Sequence, residues 1–467
     1  MSRSVQNVQS PRLVTSDKYH PSDLDNFLPW AFTEMGVEAK PVIITRIEQS
    51  PDRSFNSSRS KSIKSKEIQT PGLVTPITKS QSKSYQSLEA LEDYIKITCI
   101  YNSNSQLVKI KFCKNKKIPK CVLKLLTIAL PYHTQLTAIH VNGGLSPDLI
   151  LELRQIVALS NITEVALDNT MLEDAAVYIL LEDNLNLKHL SLARCTLNDD
   201  MVKALASKLI YPLPASKKLC ILNLSTNRIT DIGAKCIGNA LRTNRQLACL
   251  NLSGNMIGDE GAETILNSLK KFALTADELR DMKMRRLQYL KQEHQFKNNR
   301  VDEMGKKSIV SKKKVTKPAP TVPLKKGKIS DIYKDAEGTS PTDNITIDSC
   351  KVYIKDMFGP VEDPFRSEHI VLEHGVTYCL GNNSLCYLNL AYNDVNYFTV
   401  EKLCAVLREQ TTLNRQPKGL INVCIEGNNI PSCEELKEID LIIQSNLNTV
   451  TKVSLAKKKM SGKLSVR

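Results

Sequence analysis

Residues in spacings that could do chemistry are few in this chain. His369 and His374 stand five apart with Ile370, Val371 and Leu372 between them. Two histidines sharing a metal on one helical face sit four apart, so this spacing reads as a strand and not as a metal site. The glycines of Gly254-Asn-Met-Ile-Gly258-Asp-Glu-Gly261 lack the spacing of a phosphate-cradling loop. Thirteen cysteines are scattered with no Cys-x-x-Cys pair, which argues against a zinc knuckle or a disulfide framework. None has a histidine in matching sequence context, so none reads as an activated nucleophile. With no hydrolase, kinase or dehydrogenase motif, the expectation is a non-enzyme without metal, cofactor or small-molecule substrate.

Asparagine is the residue type whose recurrence does suggest a job. Asn227 and Asn255 fall at the same place in two copies of one pattern, LCILNLSTNRITDIGAKCIGNAL (219–241) and LACLNLSGNMIGDEGAETILNSL (247–269). Thirteen of 23 positions are identical at an offset of 28, far above chance. The shared frame is L-x-x-L-x-L-x-x-N-x-I, then a glycine, then apolar residues at helical spacing. The last two leucines alternate and point one way from a short strand. The ninth-position amide can satisfy backbone groups left unpaired by the turn that follows. Gly233 and Gly261 open a return helix burying Ile237 and Leu241, or Ile265 and Leu269, on one face. Neither layer buries its apolar side alone, so stacked neighbours must supply the core.

Weaker copies start at Leu136, Ile162, Leu187 (with Cys195 in the asparagine slot), Leu385 and Leu420. The step from Leu247 to Leu385 is far longer than one repeat, so a long insertion interrupts the array. The expected fold class is therefore α/β, a horseshoe solenoid with parallel strands on the concave side and helices outside. Asn227, Asn255, Asn393 and Asn428 should be buried and structural, whereas Asn223 and Asn251 should be exposed on the strands. The concave candidates are Glu164, Asp168, His189, Ser191, Asn223, Asn251, Tyr387, Asn389 and Asn422. They are mixed, most of them small and uncharged. That is poor for nucleic acid, which wants Lys, Arg and aromatics, and suits a protein partner.

The net charge of +15 is unevenly placed. Residues 1–86 carry +4, 270–335 carry +11 and 451–467 carry +6, so the remainder is mildly acidic. Basicity thus lies outside the repeats, and these stretches read as disordered appendages. The expected division runs 1–90 disordered; 91–135 a hairpin (YIKITCIY and LVKIKFC) with a helix, capping the first edge; 136–272 repeats one to five; 273–380 insertion; 381–450 repeats six and seven; 451–467 a disordered basic tail. Within the insertion, Thr275-Ala-Asp-Glu278 is a capping box starting a charged helix over 275–296. A disordered Lys- and Pro-rich stretch fills 300–342, and 343–380, partly ordered, folds back onto the array. Lys312, Lys313, Lys314, Lys317, Lys325, Lys326 and Lys328 are candidates for contact with an acidic polymer surface such as a microtubule. The apolar island Phe27–Phe32 reads either as a fortuitous cluster or as a short docking peptide. No apolar run is long enough to span a membrane, and the polar N-terminus does not read as a secretory signal; a reducing compartment is expected.

The Ser-rich N-terminus, DYIKITCIY, the five repeats, the Lys-rich insertion, CLGNNSLCYLNLAYN and the final repeat together resemble the leucine-rich-repeat-containing protein 71 family. The repeats themselves are of the ribonuclease-inhibitor type. The resemblance covers about 90–450 and implies a non-enzymatic protein of motile cilia or the sperm flagellum, associated with the axoneme in the cytoplasm. Two other readings stand beside it. Ran GTPase-activating proteins share the 28-residue repeat but carry an acidic C-terminal tail, and TKVSLAKKKMSGKLSVR has the opposite sign. Ser311-Lys-Lys-Lys314-Val passes for a nuclear import signal, which would imply a nuclear or RNA-associated adaptor, but equally for a solvated linker.

Overall fold

The computed structural model describes residues 19–48, 94–312 apart from 174, 183 and 184, and 363–461 apart from 414. They form two compact units, one running to Lys271 and resuming at Gly381, the other spanning Phe272–Leu380.

The first unit is built on one continuous sheet. Its N-terminal end holds β1 (Lys40–Ile47), β2 (Tyr94–Tyr101) and β3 (Leu107–Cys113). The repeats add β4 (Ala138–Asn142), β5 (Glu164–Ala166), β6 (His189–Ser191), β7 (Ile221–Asn223) and β8 (Cys249–Asn251). Only β2 and β3 pair antiparallel; from β3 onward each strand pairs parallel with the next. The alternation that puts Leu190, Leu222 and Leu250 fully in the core leaves the flanking residues of each strand on the opposite face. Helices Ile150–Ala158, Asp199–Lys208, Asp231–Leu241 and Asp259–Leu269 cover the core from behind. The second repeat, with the shortest step, returns instead through a 3-10 turn, Val177–Leu181.

The N-terminal stretch departs from expectation. Residues 1–90 are not uniformly disordered: Leu24–Glu34 is a helix and Lys40–Ile47 a strand. The Phe27–Phe32 island is part of this helix. Leu24, Phe27, Leu28, Ala31 and Phe32 recur at helical spacing and are at most 1% exposed. At about 2 kcal/mol for each large side chain, their burial outweighs the roughly 3 kcal/mol cost of Pro29 within the helix. The segment is held at its flank by His133 Nε2, 3.0 Å from the Pro21 carbonyl, and by Tyr19 stacked on Trp30. It joins the hairpin and the helix Lys120–Ala129 in covering the first edge of the array.

Three ladders of polar side chains stitch successive repeats. The first is the ninth-position asparagine. Asn227 Oδ1 accepts from the backbone N–H of Cys195 and Leu197, while its Nδ2 donates to Leu192 O and Leu224 O. Asn255 repeats this one turn on, toward Asn227 N, Ile229 N, Leu224 O and Leu252 O. Asn393 and Asn428 continue the series, toward Ile257 N and Asn393 N respectively. Asn227, Asn255 and Asn393 are 9%, 7% and 7% exposed, and Asn428 is half-buried.

The second ladder runs along the helix N-termini. Asp199 Oδ1 accepts from Thr230 N and Gly233 N, at 2.9 and 3.0 Å. Asp231 Oδ1 accepts from Gly258 N and Gly261 N, and Asp259 from Asn396 N and the Thr399 hydroxyl. Each helix thus supplies from its first turn an anion that caps the next helix, where donors and macrodipole both favour negative charge. This is why Gly261 recurs. A Cβ there would lie 2.6 Å from Asp231 Oδ1, and one at Gly233 would lie 2.6 Å from Asp199 Oδ1. The third ladder satisfies helix C-termini: Asn244 Nδ2 donates to Leu209 O, Asn382 to Leu241 O, and Gln410 Nε2 to Leu269 O.

All three ladders cross the insertion. The second unit begins with β9 (Phe272–Ala273), which pairs with β11 (Val376–Cys379), itself in a hairpin with β10 (Ile370–Glu373). The chain then resumes as β12 (Tyr387–Asn389) beside β8, with Leu388 opposite Leu250, and ends in β13 (Asn422–Cys424). Helices Tyr397–Leu413 and Glu434–Ser461 back these last repeats.

The insertion and tail also differ from the sequence expectation. Thr275 and Glu278 exchange the hydrogen bonds of a capping box, but the helix they start runs Ala276–Lys312 and so takes in 300–312. Of the stretch 343–380, residues 343–362 lie outside the described residues. Residues 363–380 pack on that charged helix within the second unit, around Phe272, Leu274, Phe365 and Cys379. Asp363, 8% exposed, is gripped by Arg285 through Nε at 2.6 Å and Nη2 at 3.3 Å, the two-pronged pairing that guanidinium allows. Likewise the last helix continues to Ser461, so 451–461 is helical where a disordered tail was expected. Of the insertion lysines, Lys312 ends its helix; Lys313, Lys314, Lys317, Lys325, Lys326 and Lys328 lie outside the described residues.

Candidate protein-binding face

Strand pairing sets the face residues in two rows. One runs Lys109, Ala138, Glu164, His189, Ile221, Cys249, Tyr387, Asn422. The other runs Lys111, His140, Ala166, Ser191, Asn223, Asn251, Asn389, Cys424. All the concave candidates fall in or beside these rows, with Asp168 just past β5. Because each repeat contributes a strand of the same phase, the face is continuous from β3 to β13.

The face is charged at one end and polar at the other. Glu164 is the hub of the charged end: His140 Nε2 lies 2.5 Å from Oε1, Lys109 Nζ 3.3 Å and His189 Nδ1 3.9 Å. The His140 hydrogen bond, helped by Lys109, holds the Glu164 carboxyl well below the usual range, at about 2. Burial lowers the His189 imidazole, against the pull of Glu164. Next along, Asp168 Oδ1 accepts from the Ser191 hydroxyl at 2.6 Å and from Ala193 N, and Asn223 Nδ2 donates to the same hydroxyl.

Asn223 and Asn251 are not the exposed side chains expected, and Asn389 behaves as they do. Each is half-buried, and its Oδ1 accepts from the backbone N–H two residues on, of Ser225, Ser253 and Ala391. The amide bends back to close a local turn, the habit that makes asparagine common beyond strand ends. Its Nδ2 is left to face outward or sideways; that of Asn389 donates to the Tyr387 hydroxyl. Burial, then the Cys424 thiol 3.6 Å away, pushes the Tyr387 phenol up to about 12. Burial likewise raises the Cys249 and Cys386 thiols, so both stay protonated and weakly nucleophilic. Asn422 and Ile221 complete the row, Ile221 at 38% exposure and so an apolar contact point near its centre.

Such a face can present donors, acceptors and modest apolar area, already held in place. Among the described residues no group of three or more His, Cys, Asp or Glu side chains is placed to hold a metal. No described helix is long and apolar enough to cross a membrane. The strands β1 and β2 also belong to the face, although the repeat frame does not reach them. The signal for β1 was the β-branched run Val42-Ile43-Ile44-Thr45, whereas β2 is the YIKITCIY strand of the expected hairpin.

The fold and its face define a leucine-rich-repeat solenoid. The Leucine Rich repeat family matches residues 183–206, 215–238 and 243–266, the segments holding β6, β7 and β8 with their helices. Among solved structures the chain is similar to the leiomodin-1 actin-binding site 2 (25% identity, 26% of this chain and 70% of that one, TM-score 0.23). It is also similar to an internalin from Listeria monocytogenes (12% identity, 75% of this chain and 67% of that one, TM-score 0.30). No curated protein matches the chain.

Proposed function

We propose that this protein is a non-enzymatic scaffold that binds a protein partner across its strand face. The observation that carries this is the pairing of β8 with β12, Cys249 beside Tyr387 and Asn251 beside Asn389. The insertion leaves the face unbroken, and the sheet, not the excursion, is what the ladders preserve. Side chains already engaged with their own backbone lose little freedom on binding, which favours a broad contact of moderate polarity. A photo-crosslinking residue at Ile221 or Asn389, compared with one at Lys203 on the helix side, tests the reading in a lysate of ciliated cells. Defined protein adducts should form from the strand positions alone; equal adducts from Lys203 would refute it.

The cellular setting proposed is the axoneme of a cilium or flagellum. Its support is the family resemblance of the segments around 94–101 and 379–393. A tagged protein should decorate axonemes in ciliated cells, and diffuse cytoplasmic signal would refute it. The basic insertion is proposed as a second, electrostatic contact to acidic microtubule surfaces, supported by the +11 balance of 270–335. Deleting 300–335 should weaken microtubule co-sedimentation at low salt, and unchanged sedimentation would reduce the insertion to a linker.

A further inference from the structure

The N-terminal end of the strand face differs in chemistry from the rest. Registers carry the rows beyond the repeats: Arg46 beside Ile100 beside Lys109, and Ile44 beside Thr98 beside Lys111, with Lys96 next along β2. Core residues Ile95, Ile97, Cys99, Ile110 and Phe112 occupy the other side of these strands, so the basic side chains and Ile44 and Ile100 share the outward side. Arg46 is exposed; Lys96, Lys109, Lys111, Ile44 and Ile100 are half-exposed. Among the described residues, Arg46, Lys96 and Lys111 make no ion pair, and Lys109 shares Glu164 with His140. Arg46, Lys96 and Lys111, without counter-charge among the described residues and interleaved with two aliphatic side chains, make a surface complementary to an acidic and partly apolar guest.

From this placement we infer that the β1–β3 end of the face receives an acidic peptide segment in extended form, anchored by an aliphatic side chain. The inference rests on the strand face being the binding face and names what binds at one end of it. Lys109 and Lys111 stand two residues apart on one strand, about 7 Å, the spacing of alternate side chains in an extended chain. Arg46 lies two strands away from Lys109, about 10 Å, about one screening length at roughly 0.1 M salt. Carboxylates at two alternate positions of the guest would meet Lys109 and Lys111, and an aliphatic residue at the next alternate position, on the same side of the guest, would reach toward Ile100 or Ile44. A nucleic-acid backbone fits less well, because it has no use for the two isoleucines.

The test uses the full chain and a short fluorescein-labelled peptide with Glu at two successive alternate positions and Ile at the next alternate position, all on one side of an extended chain. Its Gln counterpart and a single-stranded oligonucleotide of equal charge serve as comparisons. The Glu peptide should bind, more weakly at higher ionic strength, and the Gln peptide should not. Reversing Arg46→Glu, Lys96→Glu and Lys111→Glu together should weaken binding about tenfold or more. Replacing the same three by Gln should give a smaller loss. Reversing Lys124, Lys203 and Lys437 on the helices, an equal change in net charge, should leave binding as it was. Equal loss from the helix-side reversal, no binding of the Glu peptide, or tighter binding of the oligonucleotide would each overturn the inference. If the peptide fails while adducts still form from Ile221 and Asn389, the acidic guest is wrong and the scaffold stands; if adducts fail too, both fall.

Discussion

Asn255 is the sharpest place to test the ladder logic, because its partners can be counted. Truncation to Ala removes one acceptor, Oδ1, and one donor group, Nδ2. The three carbonyls that lose Nδ2 are not orphaned: Leu224 O still accepts from Asn227 Nδ2 at 2.9 Å, Leu252 O from Asn393 Nδ2 at 3.0 Å and Ser253 O from Thr226 N at 2.7 Å. The two amides that lose Oδ1, of Asn227 and Ile229, have no such reserve. Both lie in buried hydrogen bonds, and each buried N–H left without an acceptor costs about 1–3 kcal/mol. The expected loss is therefore about 2–6 kcal/mol. Asn251→Ala leaves only Ser253 N, which is half-buried and open to water, and should cost under about 1 kcal/mol. Urea unfolding of the two variants, read as midpoints at constant slope, makes the comparison. Similar losses from both would refute the argument, since the ladder's redundancy in carbonyls and not in amides would then be irrelevant.

Gly261→Ala should destabilise by about 1–3 kcal/mol, because its Cβ would press on Asp231 Oδ1 and on the Ala234 Cβ at 2.8 Å; thermal melts check this, and an unchanged melting temperature would show that the aspartate can move away. Glu164→Gln should flatten the acid limb of stability. The wild-type carboxyl is depressed to about 2, so its contribution is full above its unfolded pKa and is lost as pH falls toward about 2; parallel limbs for both proteins between about pH 5 and 2 would contradict this. A protease site placed within 313–362 and cut should leave the two fragments associated on gel filtration without denaturant, because Ile257 N–Asn393, Leu252 O–Asn393 and Asp259–Thr399 bridge the cut.

The repeat frame could be read from the chain because a solenoid writes the same physical demand many times. Leu222 and Leu250, or Asn227 and Asn255, recur for one reason each, and so repeat in register. The same redundancy held the aspartate ladder in plain view, as Asp231 and Asp259 with Gly233 and Gly261. Its meaning lay in a neighbour: Asp231 serves the helix after its own, which no single repeat discloses. The N-terminal helix was hidden for the opposite reason. Leu24, Phe27, Leu28, Ala31 and Phe32 have helical spacing, but Pro29 interrupts them and Ser, Thr and Lys surround them, so local propensity spoke against what burial imposes. Asn223 and Asn251 were correctly assigned to the strand face by phase, while their exposure was misjudged because an asparagine's preference for the nearby backbone is invisible to a two-residue alternation. Helix ends at Lys312 and Ser461 went unread because Lys-rich sequence serves a solvated helix as well as a coil.

At the junction, the chain leaves after Lys271 and re-enters at Gly381, whose φ of +82° and close approach to Leu269 O and Lys270 O leave no room for a side chain. Exit and return are thus fixed side by side by groups of the array itself. Chain length between two fixed points is thermodynamically cheap, each doubling adding only about 0.6 kcal/mol. The array therefore carries a port. Whatever sequence lies between Phe272 and Leu380 could be lengthened, shortened or exchanged for an unrelated module with little penalty to the repeats. A change of a single residue at Gly381 would cost more than the replacement of the whole excursion.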